Sequence, residues 1–350
     1  MVKIDVREAT KDDAHLPTFD NTKLTAINTC PTWGILRYHM HKKMSGDSRA
    51  MALEAGGAMH EVFAALRLLE LKEAMGLADH FEHHGKRLFG SRFENMKFYL
   101  EAEEDERTRH INFCLEALHS SGYYDDPNDK KRTLANMEAC TIAYYDRYEF
   151  GKYPVWIRDR ADPTALVGIE IAFDLVVTFT DDKGVSDTYR FTGKIDGLHE
   201  FDNGDLCVQE NKTTSYLRPE WSEQWNMAHQ VTGYFVAAAL IAGKPCHRGF
   251  VRGVQIPLKQ LHGESVSRDP VSRDEHKIER WFAWFKHTVE IWEKYKDSVI
   301  DAPQYTHSCN RYFRTCSFMP FCDSPCEDKQ GIIEDMVTDE WSPLHEVEDA

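Results

Sequence analysis

The run from Leu166 to Lys212 constrains this chain more than any other. Leu166 to Thr180 alternates, with Val167, Ile169, Ile171, Phe173 and Leu175 on one face, and it ends at Asp181-Asp182-Lys183-Gly184. Period-two alternation closed by turn residues specifies a half-buried strand. A second strand is predicted from about Thr188 to Glu200, ending at Asp202-Asn203-Gly204, and a third from Leu206 to about Lys212. Short polar turns between such runs make a three-stranded antiparallel meander. The flanking sequence supplies the helices to cover it. Apolar residues at helical spacing predict helix over Met51–Met75, from about Ala78 to Ser120 and over Lys131–Phe150, with a turn-rich break at Ser121–Asp129. After the meander come a helix from Pro219 to Ala242, stopped by Gly243 and Pro245, a strand over about Arg248–Pro257 and a long helix over about Arg273–Lys296. The fold class is α/β (α+β), without internal repeats.

With 350 residues, 42% of them hydrophobic, the chain can bury one large core or two ordinary ones. The longest wholly apolar run, Phe235 to Ala242, is far short of the roughly 20 residues of a membrane span. Met1 to Asp20 is polar and acidic, unlike a secretion signal. The expectation is therefore a soluble intracellular, cytoplasmic protein with no membrane partner. The net charge of −16 argues at first against nucleic acid. Ten acidic residues against one lysine lie between Asp323 and Ala350, however, and such a tail reads as a solvated appendage. Bulk charge does not describe a groove whose carboxylates hold a metal.

The third strand carries Glu210-Asn211-Lys212, and residues two apart in a strand share a face, so Glu210 and Lys212 project together. One hairpin upstream, Gly193-Lys194-Ile195-Asp196-Gly197 brings Asp196 to the same place. Two carboxylates beside a lysine suit phosphodiester hydrolysis: the carboxylates hold a hard cation such as Mg²⁺, and the lysine orients water or stabilises phosphate charge. By itself an E-x-K pair is more often an ordinary salt bridge. The helix that follows places Gln230 and Tyr234 four residues apart on one face, where an amide and a phenol can position a substrate strand.

Taken in order, Glu170, Asp196, Glu210-Asn211-Lys212 and Gln230-x-x-x-Tyr234 resemble the nuclease domain of the RecB/AddB-type PD-(D/E)XK exonucleases, a family that includes CRISPR-adaptation nucleases and many phage exonucleases. The resemblance implies a restriction-endonuclease-like core, a mixed sheet flanked by helices. It also implies a helical histidine, His60 in Gly56-Gly57-Ala58-Met59-His60-Glu61, as a metal ligand with Asp196 and Glu210. Glu170 is the weaker carry-over, an organiser of the site.

The nine cysteines divide into two sets. Cys114, Cys140, Cys207 and Cys246 sit in apolar or mixed surroundings and read as buried thiols. Cys309, Cys316 and Cys322 cluster among aromatic residues near the end of the chain, and Cys30 precedes Pro31 almost 280 residues earlier. In the same family, one N-terminal cysteine and three C-terminal ones hold a 4Fe–4S cluster, which here would staple the two ends of the chain together. Six residues separate Cys309 from Cys316, where the tightest family version has two, and Cys326 is an additional candidate. A structural Zn²⁺ on four thiolates is the alternative.

The sequence thus divides into a helical part over 1–160, a nuclease core over 161–300, a cluster segment over 301–326 and an acidic tail over 327–350. The expected activity is Mg²⁺- or Mn²⁺-dependent DNA cleavage, exonucleolytic, on single strands or duplex ends, in the host cytoplasm if the protein is phage-encoded. Asp196, Glu210 and Lys212 would be catalytic. Arg37, His39, Lys42 and Lys43 are weak candidates for backbone contacts, with solvated surface the simpler reading. The competing class is a non-catalytic DNA-binding or scaffolding subunit of a recombination or CRISPR-adaptation complex. Homo-oligomers and partner recombination proteins stay open.

Overall fold

The computed structural model describes residues 2–44, 51–258, 265–311 and 314–340. It is a mixed α/β structure whose sheet is flanked by helices, as the sequence predicts. The chain forms two compact units, each assembled from separated segments: one from 1–49, 174–193 and 275–349, the other essentially from 50–173 and 194–274. Two long strands run through the boundaries and contribute residues to both.

The larger unit carries the site, and its elements are numbered here in chain order. Five helices come first: α1 (Met51–Leu69), α2 (Ala78–Phe89), α3 (Arg92–Leu100), α4 (Glu106–His119) and α5 (Leu134–Asp146). Residues Glu70–Ala74 extend α1 as a π-helical turn, so helix reaches nearly to Met75 as predicted. The single helical stretch expected over 78–120 is three helices. Gly90, at φ +55, ends α2, and Asp105 starts α4 by accepting a hydrogen bond from the Thr108 amide. Strands β1 (Ile169–Thr180), β2 (Ser186–Glu200) and β3 (Leu206–Thr214) are the predicted meander. The short helix α6 (Glu220–Gln224) and the helix α7 (His229–Ala242) then return the chain to β4 (Arg248–Gln255) and β5 (Val266–Ser272).

Within this unit β2 pairs antiparallel with β3, β3 parallel with β4, and β4 antiparallel with β5. A parallel β3–β4 pair requires a crossover, and α7 supplies it. Sequence reading missed β5, which contains Pro270 and alternates weakly, features that suit a strand at a sheet edge. The single helix predicted over 219–242 is broken at Trp225–Ala228, and buried Arg273 explains the break. Its guanidinium donates to the Trp225 and Ala228 carbonyls and to Thr232 Oγ1. The core joins Met59, Val62, Phe63 and Leu66 of α1 to Phe93, Phe113, Met137 and Tyr144 of the other helices and to Val167 and Ile169 at the sheet.

In the smaller unit, Lys3–Glu8 runs antiparallel to residues 175–180, and Thr18–Phe19 runs parallel to Arg190–Phe191. The helix Glu275–Tyr295 presents Trp281, Phe285 and Trp292 to Phe19 and Phe191. Helices Asn21–Thr29 and Pro31–Tyr38 meet at Cys30. Part of the acidic tail differs from the expected solvated appendage. Cys326–Asp335 is a helix that buries Ile333, and Val337–Thr338 pairs with Lys42–Lys43. Arg37 pairs with Asp339 at 2.7 Å, so that arginine is engaged by its own chain. Positions 341–350 of the tail lie outside the described residues. Among the described residues no helix is long and apolar enough to cross a membrane.

Candidate metal centre

The strands and α1 bring six charged side chains of the larger unit together. Asp196 in β2 and Glu210 in β3 are both buried, at 5% and 1% exposure. Their strands are locked side by side by the pairing of Gly197 with Gln209, the next residues along. Asp196 Oδ2 accepts the amide hydrogen of Asn211 at 2.6 Å, so the middle residue of Glu210-Asn211-Lys212 serves the site through its backbone. The Asn211 side-chain oxygen accepts from Gln209 Nε2 at 2.8 Å and from the Tyr144 hydroxyl at 3.1 Å, which ties this strand to α5.

His60 in α1 sets its Nδ1 3.3 Å from Asp196 Oδ1 and 3.9 Å from Glu170 Oε1. His60, Glu170 and Asp196 each offer a ligand atom, all within 4.8 Å of one another, the spacing of a group able to share one ion. Sequence analysis assigned this place to Glu210 and ranked Glu170 as an organiser, whereas in the structure Glu170 completes the compact triad. Glu210 lies alongside, paired with Lys212 Nζ and accepting from Gln230 Nε2 at 3.1 Å. Gln230 also donates to the Tyr234 hydroxyl at 2.8 Å, so the predicted Gln–Tyr ridge is present, with its amide turned inward onto Glu210. Lys194, two residues before Asp196 and on the same strand face, pairs with Glu170 Oε2 at 2.9 Å. The spacing of Lys194 from Asp196 is the signal in the sequence that marks this lysine.

Glu170 is also strained. Its φ of +48 puts a non-glycine residue in the left-handed region at the second position of a strand. Two residues before it, Gly168 cannot carry a side chain, because a Cβ there would lie 2.0 Å from the Leu198 carbonyl oxygen. Nothing in one sequence marks a positive φ at a glutamate, so this feature was invisible beforehand.

Electrostatics follow from burial and crowding. Burial opposes a charged His60, but Asp196 and Glu170 outweigh it and raise its pKa to about 10. Burial likewise opposes ionised Asp196, yet His60, Lys212 and the Asn211 amide hold it below the usual carboxylate range. Glu210 moves the other way, pushed up to about 7 by burial and by the neighbouring Asp196 charge, against the pull of Lys212 and His60. Lys212 is raised, since Glu210 and Asp196 overcome its burial. Both oxygens of Glu170 and Oε2 of Glu210 are buried without a hydrogen bond, despite the nearby cations. Buried carboxylate oxygens left in that condition cost stability, and a cation held between them would satisfy them.

The cysteines form a second feature, in the smaller unit. Burial, and to a lesser degree the thiols of Cys30, Cys316 and Cys309, push Cys322 up to about 11. A hairpin closes between two of them, where the Cys316 amide donates to the Cys309 carbonyl at 2.8 Å. Cys326 is exposed at the start of its helix and is not among the groups acting on Cys322. Cys114, Cys140, Cys207 and Cys246 are buried thiols, as expected.

Neither a scan of protein-family models nor a search of curated proteins returned a match for this chain.

Proposed function

We propose that the protein is a metal-dependent nuclease of the PD-(D/E)XK kind that hydrolyses DNA phosphodiesters, acting as an exonuclease on single strands or duplex ends. One observation carries the reading: His60, Glu170 and Asp196 converge within 4.8 Å beside a Glu210–Lys212 pair, with Glu170 Oε1 and Glu210 Oε2 buried and without a hydrogen bond. An imidazole and carboxylates are donors for Mg²⁺ or Mn²⁺, and when bound such an ion neutralises phosphate charge and lowers the proton affinity of water.

The chain's own groups supply the remaining functions. Asp196, ionised and fixed by the Asn211 amide, is a rigid anionic donor. Glu210 Oε1 is held by Lys212 and Gln230, which leaves Oε2 without a hydrogen bond. With its pKa near 7, Glu210 can take up the proton that water loses as it attacks phosphorus and the bond to the leaving deoxyribose oxygen breaks. Lys212 remains charged and sits where it can donate to the phosphate oxygens as their negative charge grows. Cys30, Cys309, Cys316 and Cys322 offer four soft donors for a 4Fe–4S cluster whose role is to hold the ends of the smaller unit together.

End-labelled single- and double-stranded DNA incubated with anaerobically purified protein in Mg²⁺, Mn²⁺ or EDTA tests the activity, with Glu210→Ala as control. Metal-dependent cleavage lost in the variant is expected, and the product ladder gives polarity. Absence of cleavage with every metal, in protein that retains its iron, refutes the enzymatic reading and favours a DNA-binding subunit.

A further inference from the structure

We infer that His84 and Arg87 are positioning residues for the metal centre, forming a clamp that holds Glu170 in its left-handed conformation and so sets the affinity for the cation. This rests on the metal-centre reading above. Both residues lie on α2, outside the triad. Arg87 Nη2 donates to the Ile169 carbonyl oxygen at 3.0 Å, and Arg87 Nε donates to His84 Nδ1 at 3.2 Å. His84 Nε2 lies 3.0 Å from the Ala165 carbonyl oxygen.

These partners assign the protons. A guanidinium only donates, so His84 Nδ1 must accept and Nε2 must carry the hydrogen given to Ala165. The ring is therefore neutral, consistent with its burial and with the positive charge of Arg87 beside it. Through two side chains α2 grips two carbonyls, one on each side of Leu166-Val167-Gly168, the segment that leads into β1.

The Ile169 carbonyl belongs to the peptide plane that ends at the Glu170 nitrogen, and φ of Glu170 is the rotation about the next bond. Holding that carbonyl fixes one side of the rotation. Backbone bonds also tie this segment: Gly168 donates to Trp156 and accepts from Leu198, Leu166 accepts from Arg158, and Ile169 donates to Val167, but none of these holds the Ile169 carbonyl. A strained backbone angle persists only where its surroundings over-determine it, and the α2 clamp supplies that constraint next to Glu170. Arg87 itself is exposed, so replacing it opens no cavity.

The experiment measures Mn²⁺ binding to the full-length protein without DNA, by electron paramagnetic resonance or calorimetry. It compares wild type with Arg87→Gln, His84→Leu and His84→Gln, with folding followed by circular dichroism. Groups that orient a metal ligand typically contribute about 10–100-fold in affinity, so Arg87→Gln and His84→Leu are expected to weaken Mn²⁺ binding about tenfold or more. His84→Gln keeps an acceptor for Arg87 and a donor for Ala165 and should bind within about threefold of wild type, a rescue that loss of general stability would not produce.

The sign of the Arg87→Gln effect is diagnostic. Removing a positive charge near a cation site by electrostatics alone tightens binding. Unchanged or tighter Mn²⁺ binding in Arg87→Gln therefore overturns the clamp while leaving the metal centre standing. Wild-type protein that binds no Mn²⁺ overturns the metal centre, and the clamp with it.

Discussion

The backbone at Glu170 allows a test in which one pair of substitutions isolates strain from chemistry. Glu170→Ala and Glu170→Gly both remove the carboxylate, its ion pair with Lys194 and its two unsatisfied oxygens, so those losses cancel in the comparison. What remains is the left-handed φ of +48. An L-residue there costs roughly 1–2 kcal/mol relative to its favoured regions, a cost that glycine escapes. Glycine in turn loses about 0.5–1 kcal/mol to unfolded-chain entropy. At position 170 glycine should accordingly be the more stable of the two, by about 1 kcal/mol. Two residues along the same strand, Ala172→Gly has no positive φ to relieve and should be destabilised by about 0.5–1 kcal/mol. The contrast of about 1.5 kcal/mol between the two sites is well within reach of urea denaturation in EDTA. Repeating the titration in Mn²⁺ supplies the functional half, since a bound ligand at 100 times its Kd stabilises by about 2.7 kcal/mol. Wild type should show that gain, and both Glu170 variants should lose most of it. If alanine proves as favourable relative to glycine at 170 as at 172, the left-handed backbone is not imposed by the fold and the strain argument fails.

Lys212→Met should lower single-turnover cleavage by roughly 10²–10³, the usual loss for one charge-stabilising donor, while Mn²⁺ binding survives; cleavage at the wild-type rate would remove Lys212 from the chemistry. The stabilisation contributed by two buried histidines should fall on acidification, opposite in sign to the contribution of Glu210, whose raised pKa favours the folded state as the pH drops from about 7. His84, with its pKa lowered to about 4, and His199, held well below 6.5, are both buried and neutral when folded, so the unfolded chain binds more protons between those values and 6.5. Their stabilisation is complete above about pH 6.5 and is lost as the pH falls toward 4, His84 alone accounting for on the order of 3 kcal/mol at 1.36 kcal/mol per unit; the change in urea midpoint from pH 7 to pH 5 should be less unfavourable in His84→Gln than in wild type. Cys309→Ser, made anaerobically, should lose iron and sulfide together and lower the thermal midpoint, whereas Cys326→Ser should do neither; metal analysis that finds zinc and no sulfide would replace the cluster with a single ion.

The elements that bear the site were readable because each follows from a local rule. The meander alternates with period two, α7 ends on a left-handed Gly243, and Glu210 and Lys212 share a face because strand geometry requires it. What escaped depends on partners remote in sequence. Arg273 breaks the helix at Trp225–Ala228 from 45 residues or more away, through bonds that no helix pattern registers. β5 exists because β4 offers it a partner, and its own sequence, with Pro270 inside, argues against a strand. Lys42–Lys43 and Val337–Thr338 likewise pair across nearly the whole chain. That Glu170, rather than Glu210, lies in the compact group with His60 and Asp196 has the same origin. Alternation shows which face a residue lies on, but the distance between side chains on different elements depends on a backbone angle and a packing position that one sequence does not encode locally.

The departures from local rules are themselves concentrated, and that bears on function. Among the described residues Glu170 alone combines a positive φ, burial and two oxygens without hydrogen bonds, and two residues before it stands a glycine that tolerates no Cβ. Each feature opposes stability, and a chain free to vary could remove the first with glycine and the second with an apolar residue. The internal cations do not compensate fully: Lys194 pairs with Glu170 and His60 approaches it, yet neither gives its oxygens a well-formed hydrogen bond. A divalent cation differs from these partners in that it has no directional hydrogen to aim, and it can draw oxygens from Glu170 and Asp196 toward one point together with His60. The same arrangement that is unfavourable as a set of protein-only ion pairs is therefore favourable as a set of ligands. This is the physical reason to read the cluster as a metal centre rather than as a buried salt bridge that happens to contain an E-x-K sequence.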